Sequence, residues 1–286
     1  MKTICFFSSY FKGDTLPYYC EVYLLELKKH FHEVVLLTTK KPNEIACNVL
    51  HENGIELLIL TNEGFDFGMW SKAFDNYPVE NYDRVALVND SCILFAPLNR
   101  FMDWVNTTSA DCYAISESHA IAYHLQSYFL LLSKNAILVL KNHFKQTGIQ
   151  ANISDVINKY EIGISTIWRK NGLVLKAFLS NNGYQGEFSP YYYLIDAHLK
   201  QGSPMIKKKI IYSSYRNDEL FTLQRMNFEI DANYYLKIIN QVQGANLLLN
   251  FEKLLADLPQ QMSTFEKFIY RLKKSVFQFA KRLLRK

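Results

Sequence analysis

Residues 82–91 read YDRVALVNDS, and this stretch decides the fold. The four apolar residues 85–88 are too few for a helix and stand between polar neighbours, so they predict a buried strand of a parallel sheet. Asn89, Asp90 and Ser91 follow this strand directly. Ligands of open α/β sheets bind beyond the carboxyl ends of the strands, so this tripeptide is a candidate for holding a phosphate-bound cation or a sugar. Such residues are also ordinary in turns and helix N-caps, which is the alternative interpretation.

The chain before this strand alternates short apolar segments with helical ones. Strands are predicted at 3–8, 33–38 and 55–60, and helices at 17–31, 42–52 and 68–76. Alternation of this kind predicts right-handed βαβ units and an α/β fold with a mostly parallel central sheet flanked by helices. Further along, strands are predicted at 111–116 and 127–132, and helices from about 134, at 154–171 and at 189–250.

The composition of the 286-residue chain is that of a globular protein, with 49% apolar and 21% charged residues. No apolar run exceeds six residues, far fewer than the roughly 20 that a membrane-spanning helix needs. The first apolar run is also too short for a signal peptide, so we expect a cytoplasmic protein. Five cysteines without a C-x-x-C spacing predict neither a disulfide framework nor a zinc site.

The positive charge is concentrated at the end of the sequence. Residues 263–286 hold eight Lys or Arg and one acidic residue, a net of +7 in a chain of net +5, which leaves −2 for the other 262 residues. A nucleic-acid-binding body would carry its own positive face, so nucleic acid is not an expected partner.

The same terminal stretch has the clearest helical periodicity in the chain. Its apolar residues recur at spacings of three and four: Phe265, Phe268, Ile269, Leu272, Val276, Phe279 and Leu283. A basic amphipathic helix of this type lies on an anionic membrane surface, although docking on the protein's own core or on a partner helix would also bury its apolar side. We therefore expect a main domain at 1–215, a helical extension at 216–262 and a membrane-contacting helix at 263–286.

Glu161 is the candidate for acid-base chemistry in the predicted helix at 154–171. The buried stripe of that helix is predicted to contain Ile157, Tyr160, Ile164, Ile167 and Trp168. Glu161 lies at the edge of this stripe, where a carboxylate faces packed structure and needs a partner, so it is a general-base candidate. A solvated or salt-bridged helix carboxylate is the alternative.

Five segments, in one order along the chain, carry a resemblance to a known family. They are 62–68 (NEGFDFG), 88–91 (VNDS) with Pro97 and Leu98 downstream, 124–130 (HLQSYFL), 160–165 (YEIGIS), and Leu194-Ile195 with Gly202, Pro204, Ile206 and Lys207. Together they resemble the rhamnan synthesis F family of bacterial polysaccharide glycosyltransferases. The resemblance implies a GT-A-like domain, a nucleotide-sugar donor and transfer to a growing surface glycan. Together with the terminal helix, it leads us to expect a membrane-associated enzyme that extends a lipid-linked polysaccharide on the inner face of the plasma membrane.

The resemblance also implies roles for individual residues. Gly64, Asp66 and Gly68 would lie near the donor nucleotide, and Asn89, Asp90 and Ser91 would take the place of an Asp-x-Asp motif, with Mg²⁺ or Mn²⁺ on Asp90. Glu161 would be the catalytic base. The chemistry of sugar transfer adds His124, Gln126, Ser127 and Lys207 as contacts to the acceptor or the transferred sugar, although a hydrogen-bonded structural histidine is the alternative for His124.

One departure from the family pattern leaves the source of positive charge open. Asn89-Asp90-Ser91 contains one carboxylate where the usual motif contains two. The charge that develops on a diphosphate leaving group can be neutralised by a metal ion on Asp90 or by cations such as Lys207 and Lys208. A non-catalytic scaffold of a polysaccharide assembly complex, binding partners through the terminal helix, is the alternative function. An NAD-dependent reductase is disfavoured because no G-x-G-x-x-G follows the first strand.

Overall fold

The computed structural model of the chain describes residues 1–181 and 195–208. The strands are β1 (Thr3–Ser8), β2 (Glu33–Thr38), β3 (Ile55–Ile59), β4 (Arg84–Asn89), β5 (Cys92–Leu94), β6 (Cys112–Ser118), β7 (His124–Leu125), β8 (Phe129–Ser133), β9 (Leu175–Leu179) and β10 (Met205–Lys207). The helices are α1 (Tyr18–Lys28), α2 (Glu44–Glu52), α3 (Phe65–Asn76), α4 (Asn99–Thr107), α5 (Lys134–Thr147), α6 (Ile153–Asp155), α7 (Gly163–Lys170) and α8 (Ile195–Gln201). A 3-10 turn spans Val79–Asn81, and a π-helix at Val156–Ile162 joins α6 to α7.

Several predictions concern the end of the chain, beyond the described residues. The domain boundary at 215, the helical extension at 216–262 and the amphipathic helix at 263–286 all lie outside the described residues. Within those residues, no helix combines the length and apolarity needed to cross a bilayer.

The central sheet has the order β3-β2-β1-β4-β8-β6-β7, with β9 beside β6. The first four strands of this order are parallel, as predicted, and β1 is buried along its whole length. Strand β8 runs antiparallel to both β4 and β6. The connection from β6 to β8 is short and contains no helix, so the chain can only return in the opposite direction. Strand β7, at the edge, is also antiparallel to β6. The predicted α/β fold with a mostly parallel sheet is therefore confirmed, with two reversed strands, β8 in the middle and β7 at the edge.

The order of the parallel strands creates a switch point between β1 and β4. The chain steps from β1 to β2 to β3 on one side, and then returns to place β4 on the other side of β1. Helices α1 and α3 cover opposite faces of the sheet: the ring of Phe7 packs 5.2 Å from that of Tyr23, whereas Phe6 packs 6.2 Å from Phe74. Crevices for ligands form at such switch points, beyond the carboxyl ends of the two strands.

The segment 153–170 is helical as predicted, but it is not one regular helix. The π-helix at Val156–Ile162 has an extra residue in its turn compared with an α-helix, which shifts the buried stripe by one position. Val156 is therefore buried, and the predicted Ile157 is only half-buried. Trp168 is fully buried, and its Nε1 donates a hydrogen bond to the carbonyl oxygen of Ala136 at 3.1 Å. This side chain fixes α7 against α5.

The predicted helix at 189–250 is confirmed at α8 but wrong at Met205–Lys207. These residues form β10, which pairs antiparallel with β5 so that Met205 lies opposite Leu94 and Lys207 opposite Cys92. The pairing partner lies far away in sequence, and strands of three residues are too short to show a period. Local pattern therefore could not reveal this two-stranded ribbon.

Candidate functional site

Polar side chains meet at the switch point, where β1 and β4 end. Ser8 and Asn89 are opposite each other in the register of these strands, and both are buried. Asp66 reaches them from the first turn of α3. Ser8 Oγ donates to Asp66 Oδ1 at 3.0 Å, and Asn89 Nδ2 donates to Asp66 Oδ2 at 2.8 Å. Both oxygens of the Asp66 carboxyl group are therefore engaged.

The two glycines predicted at this site shape the turn that presents Asp66. Gly64 begins α3 with a φ of 75°, in the left-handed region that favours glycine. A Cβ atom on Gly68 would lie 1.9 Å from the carbonyl oxygen of Glu63, so no other residue fits there without a shift of the backbone. Their contact with a donor nucleotide stays a prediction, whereas their part in the start of α3 follows from geometry.

Burial and the nearby charge of Asp90 raise the pKa of Asp66 from 3.8 to about 6. Hydrogen bonds from Ser8 and Asn89, together with the positive charge of Lys208, act in the opposite direction without cancelling the increase. At neutral pH the carboxyl group is thus an anion held close to a second anion. Carboxylate oxygens accept hydrogen bonds, so the hydroxyl groups of a ligand can bind here.

The raised pKa of Asp66 predicts a pH dependence of stability. The Asp66 carboxyl group keeps its proton up to about pH 6 in the folded protein, but loses it near pH 3.8 in the unfolded chain. The stabilisation of the folded state that results is fully present below pH 3.8 and is lost as the pH rises through about 6. At about 1.4 kcal/mol per pKa unit, and allowing for partial exposure of the side chain, we expect this group to lower the free energy of unfolding by up to about 2 kcal/mol between pH 4 and pH 7. Urea unfolding of wild type and Asp66→Asn at pH 4 and pH 7 measures it.

The difference between wild type and Asp66→Asn isolates this group from the other carboxylates that titrate over the same range. Asp75→Asn, at an exposed position in the same helix, is the matched control and should follow the wild type. Equal pH slopes for wild type and Asp66→Asn would contradict the assignment.

Asp90 lies next to Asn89 and collects three hydrogen-bond donors on a single oxygen. Ser9 Oγ, Tyr19 OH and Lys208 Nζ approach Asp90 Oδ2 at 3.0, 3.3 and 3.1 Å. Lys208 Nζ also donates to Tyr19 OH at 2.8 Å. The turn itself is closed by Ser91, whose backbone N and Oγ lie 3.1 and 2.6 Å from Asn89 Oδ1.

The predicted Mg²⁺ or Mn²⁺ ion on Asp90 fits these surroundings poorly. One donor to Asp90 Oδ2 is an ammonium group, which already supplies positive charge where a metal ion would sit. Both oxygens of Asp66 already accept a hydrogen bond from a neighbouring side chain, which reduces their availability as metal ligands. In the described part of the chain, no three His, Cys, Asp or Glu side chains form a group that could hold a metal. The metal stays a prediction.

A second polar group contains three of the residues predicted to contact the acceptor. Lys207 Nζ donates to Gln126 Oε1 at 2.9 Å, and Gln126 Nε2 lies 3.3 Å from His124 Nε2. His124 Nδ1 lies 2.8 Å from the carbonyl oxygen of Ala122, so with the proton on Nδ1 the Nε2 atom accepts from Gln126. His124 and Gln126 are buried, and Lys207 Nζ lies 5.4 Å from the ring centroid of Tyr128.

Glu161 is half-buried and lies in the π-helix, next to this second group. Ser127 directs both its backbone N and its Oγ at Glu161 Oε1, at 3.4 and 3.3 Å. These long contacts orient the carboxylate, and no residue in the described part of the chain forms a hydrogen bond with Oε2. Short π-helices occur frequently at functional sites, because the extra residue redirects a side chain.

The predicted site residues therefore form two clusters, which we call the donor cluster (Asp66, Asn89, Asp90 and Ser91) and the acceptor cluster (His124, Gln126, Ser127, Glu161 and Lys207). The two clusters are linked through the chain and through a ring contact. Lys207 and Lys208 are neighbours in sequence and reach different clusters. The ring of Tyr160, next to Glu161, stacks on that of Phe67, next to Asp66, with centroids 5.2 Å apart.

Sequence reasoning missed several members of the donor cluster's surroundings. Ser8 and Ser9 end the first strand, so the rule that singled out Asn89 and Asp90 would also have found them. Tyr19 has no comparable signal, because only the folded chain brings it to Asp90. The sequence indicates Lys208 as a possible cation for the diphosphate, but only the fold shows that it lies at Asp90.

Comparisons with known proteins give one family and a set of distant structures. A family model described as rhamnan synthesis protein F matches residues 34–270. No curated protein matches the chain at a significant level. A cytidylyltransferase from Leptospira borgpetersenii is 12% identical with a TM-score of 0.41, over 92% of this chain and 99% of that one. The apo form of glycosyltransferase GlyE from Streptococcus pneumoniae is 12% identical with a TM-score of 0.44, over 84% of this chain and 62% of that one.

Proposed function

Because the chain belongs to the rhamnan synthesis protein F family, we propose that it is a glycosyltransferase that uses a nucleotide-sugar donor to extend a bacterial surface polysaccharide. The observation that supports this most is the meeting of Asp66, Asn89, Asp90 and Lys208 at the switch point between β1 and β4. A nucleotide sugar offers hydroxyl groups to the carboxylates and a diphosphate to the ammonium group. A single crevice at this edge of the sheet would satisfy both halves of such a donor.

In this proposal the donor cluster holds the nucleotide sugar. Asp66 and Asn89 accept and donate hydrogen bonds to hydroxyl groups of the nucleotide or the sugar, and Ser91 contacts the diphosphate. The bond from C1 of the sugar to the diphosphate must break, and its electron pair leaves with the nucleoside diphosphate. Positive charge beside Asp90 stabilises the leaving group, because charge fixed in advance acts strongly where water is excluded.

The acceptor cluster supplies the other half of the reaction. A hydroxyl group of the acceptor is a poor nucleophile until a base removes its proton, and we assign this role to Glu161. His124, Gln126, Ser127 and Lys207 would hold neighbouring hydroxyl groups of the acceptor or the transferred sugar. Attack by the acceptor oxygen on C1, from the side opposite the diphosphate, inverts the anomeric configuration.

Several finer points belong to the same proposal. The sugar is rhamnose or another deoxyhexose or hexose, and the acceptor is a lipid-linked glycan of the O-antigen, capsule or cell wall. The enzyme would act as a peripheral protein on the cytoplasmic face of the plasma membrane. Residues 263–286, with eight cations on an amphipathic pattern, would make the membrane contact.

A thermal-shift panel of dTDP-, UDP- and GDP-sugars tests the proposal directly. One nucleotide class should stabilise the protein, by about 2.7 kcal/mol at a hundred times its dissociation constant. The stabilisation should disappear in Asp90→Ala and persist in Asp103→Ala, which removes an exposed carboxylate from α4. A folded protein that no nucleotide sugar stabilises would instead support the non-catalytic scaffold.

A further inference from the structure

Lys208 is held at the donor cluster by its backbone as well as by its side chain. Strand β10 pairs with β5, which begins one residue after Ser91, and the backbone N of Lys208 donates to the carbonyl oxygen of Ser91 at 2.8 Å. The side chain is 18% exposed. A lysine on a flexible surface loop would have to be ordered by its ligand, whereas this one is already ordered by a strand.

The ammonium group of Lys208 forms a closed set of contacts with two partners. It lies 3.1 Å from Asp90 Oδ2 and 2.8 Å from Tyr19 OH, and Tyr19 OH in turn donates to Asp90 Oδ2 at 3.3 Å. The ammonium also lies 5.0 Å from the centre of the Tyr19 ring, close enough for a favourable cation–π contact. An ammonium group has three N–H bonds, so the two partners found within residues 1–181 and 195–208 use two of them, and the third can serve an incoming ligand.

The same contacts make the position unsuitable for a second cation. Asp90 Oδ2 is already surrounded by Ser9, Tyr19 and Lys208. A divalent ion on this carboxylate would lie within a few ångströms of the ammonium group and would be repelled by it. Asp66, the other carboxylate of the donor cluster, already accepts one hydrogen bond on each oxygen, from Ser8 and Asn89, which leaves it less available as a second carboxylate ligand.

We propose that Lys208, oriented by Asp90 and Tyr19, neutralises the diphosphate of the donor, so that donor binding requires no divalent metal ion. This inference rests on the proposed function and assigns the source of positive charge that the Asn89-Asp90-Ser91 sequence left open. When the bond between C1 and the diphosphate oxygen breaks, the electron pair goes to that oxygen. The Lys208 ammonium donates a hydrogen bond to the departing diphosphate and keeps its proton, so the step balances without a metal.

The experiment measures donor binding with the metal and the lysine varied independently. Thermal shift and calorimetry are run with the dTDP-, UDP- and GDP-sugar panel in EDTA, in Mg²⁺ and in Mn²⁺. We expect the wild type to bind the same nucleotide class with dissociation constants within about threefold in all three conditions. Lys208→Ala should weaken binding at least about tenfold in EDTA, the scale of one charge-assisted hydrogen bond, and Lys208→Arg should retain more of the affinity.

Lys141→Ala is the matched control, because Lys141 is also partly buried and ion-paired, with Glu80, away from the donor cluster. It should bind like the wild type. A second readout is Mn²⁺ binding without nucleotide, followed by electron paramagnetic resonance. Lys208→Ala should bind Mn²⁺ more tightly than the wild type, because Asp90 loses its ammonium partner, and Asp90→Ala in the same background should remove that gain.

The outcomes separate this inference from the function on which it rests. Binding by the wild type that EDTA abolishes and Mn²⁺ restores would overturn the role of Lys208 and leave the glycosyltransferase proposal standing. Unchanged donor affinity in a folded Lys208→Ala protein would overturn it as well. If no nucleotide sugar binds under any condition, the proposed function itself fails.

Discussion

Replacing Glu161 with Gln is expected to lower kcat by about 10²- to 10⁴-fold while leaving donor binding unchanged. Glutamine has the shape of glutamate, and its side-chain oxygen can still accept the hydrogen bonds that Ser127 directs at Oε1. What it lacks is a basic oxygen that takes the proton of the acceptor hydroxyl. The loss should therefore fall on the chemical step and leave the donor cluster intact.

The measurement is release of nucleoside diphosphate in the presence of membranes that carry the acceptor glycan, together with donor binding by thermal shift. Glu80→Gln is the control, because Glu80 is an exposed glutamate paired with Lys141 on the protein surface. It should retain wild-type activity. A Glu161→Gln enzyme with wild-type kcat would remove Glu161 from the role of base.

Replacing Trp168 with Ala is expected to lower the free energy of unfolding by about 3–5 kcal/mol. Trp168 is among the largest of the fully buried side chains, and it packs in the same core as Tyr160 and Phe67. Truncation leaves a cavity and also leaves the carbonyl oxygen of Ala136 without its side-chain donor. Both effects loosen the packing of α7 against α5, so the orientation of Glu161 should suffer too.

Urea unfolding followed by circular dichroism measures this loss. Lys170→Ala, two residues further along the same helix at an exposed position, should change the free energy of unfolding by no more than about 0.5 kcal/mol. Equal midpoints for Trp168→Ala and Lys170→Ala would show that α7 contributes little to the core.

Much of the first half of the fold could be predicted from sequence, because its strands are continuous apolar runs. The predicted ranges 3–8 and 33–38 coincide with β1 and β2, and the run at 85–88 extends by only one residue at each end in β4. The direction of β8 could not be read in this way. An apolar run indicates burial, whereas orientation depends on the length of the connection and on the neighbour that is available.

The candidate site was predictable where it obeys the rule for the carboxyl ends of parallel strands. That rule brought Asn89 and Asp90 to notice, and their surroundings include Asp66, as the family resemblance implied. Lys208 escaped the rule because it directly follows β10, a strand that pairs with β5 across more than 100 residues of sequence. Tyr19 could not be predicted either, because the packing of its helix against the sheet, and not a local sequence pattern, brings its hydroxyl group to Asp90.

The π-helix that carries Glu161 has a consequence for how this protein can change over time. A regular helix turns by about 100° per residue, so loss of one codon within Val156–Ile162 could restore ordinary helical geometry on both sides. The segment would still be helical and still be packed, yet the residue at the edge of the acceptor cluster would no longer be Glu161. If Glu161 is the base that we propose, a single in-frame deletion in this segment would abolish activity and leave the fold intact. A gap at this position in a related sequence would then indicate a copy with the same architecture and without the reaction.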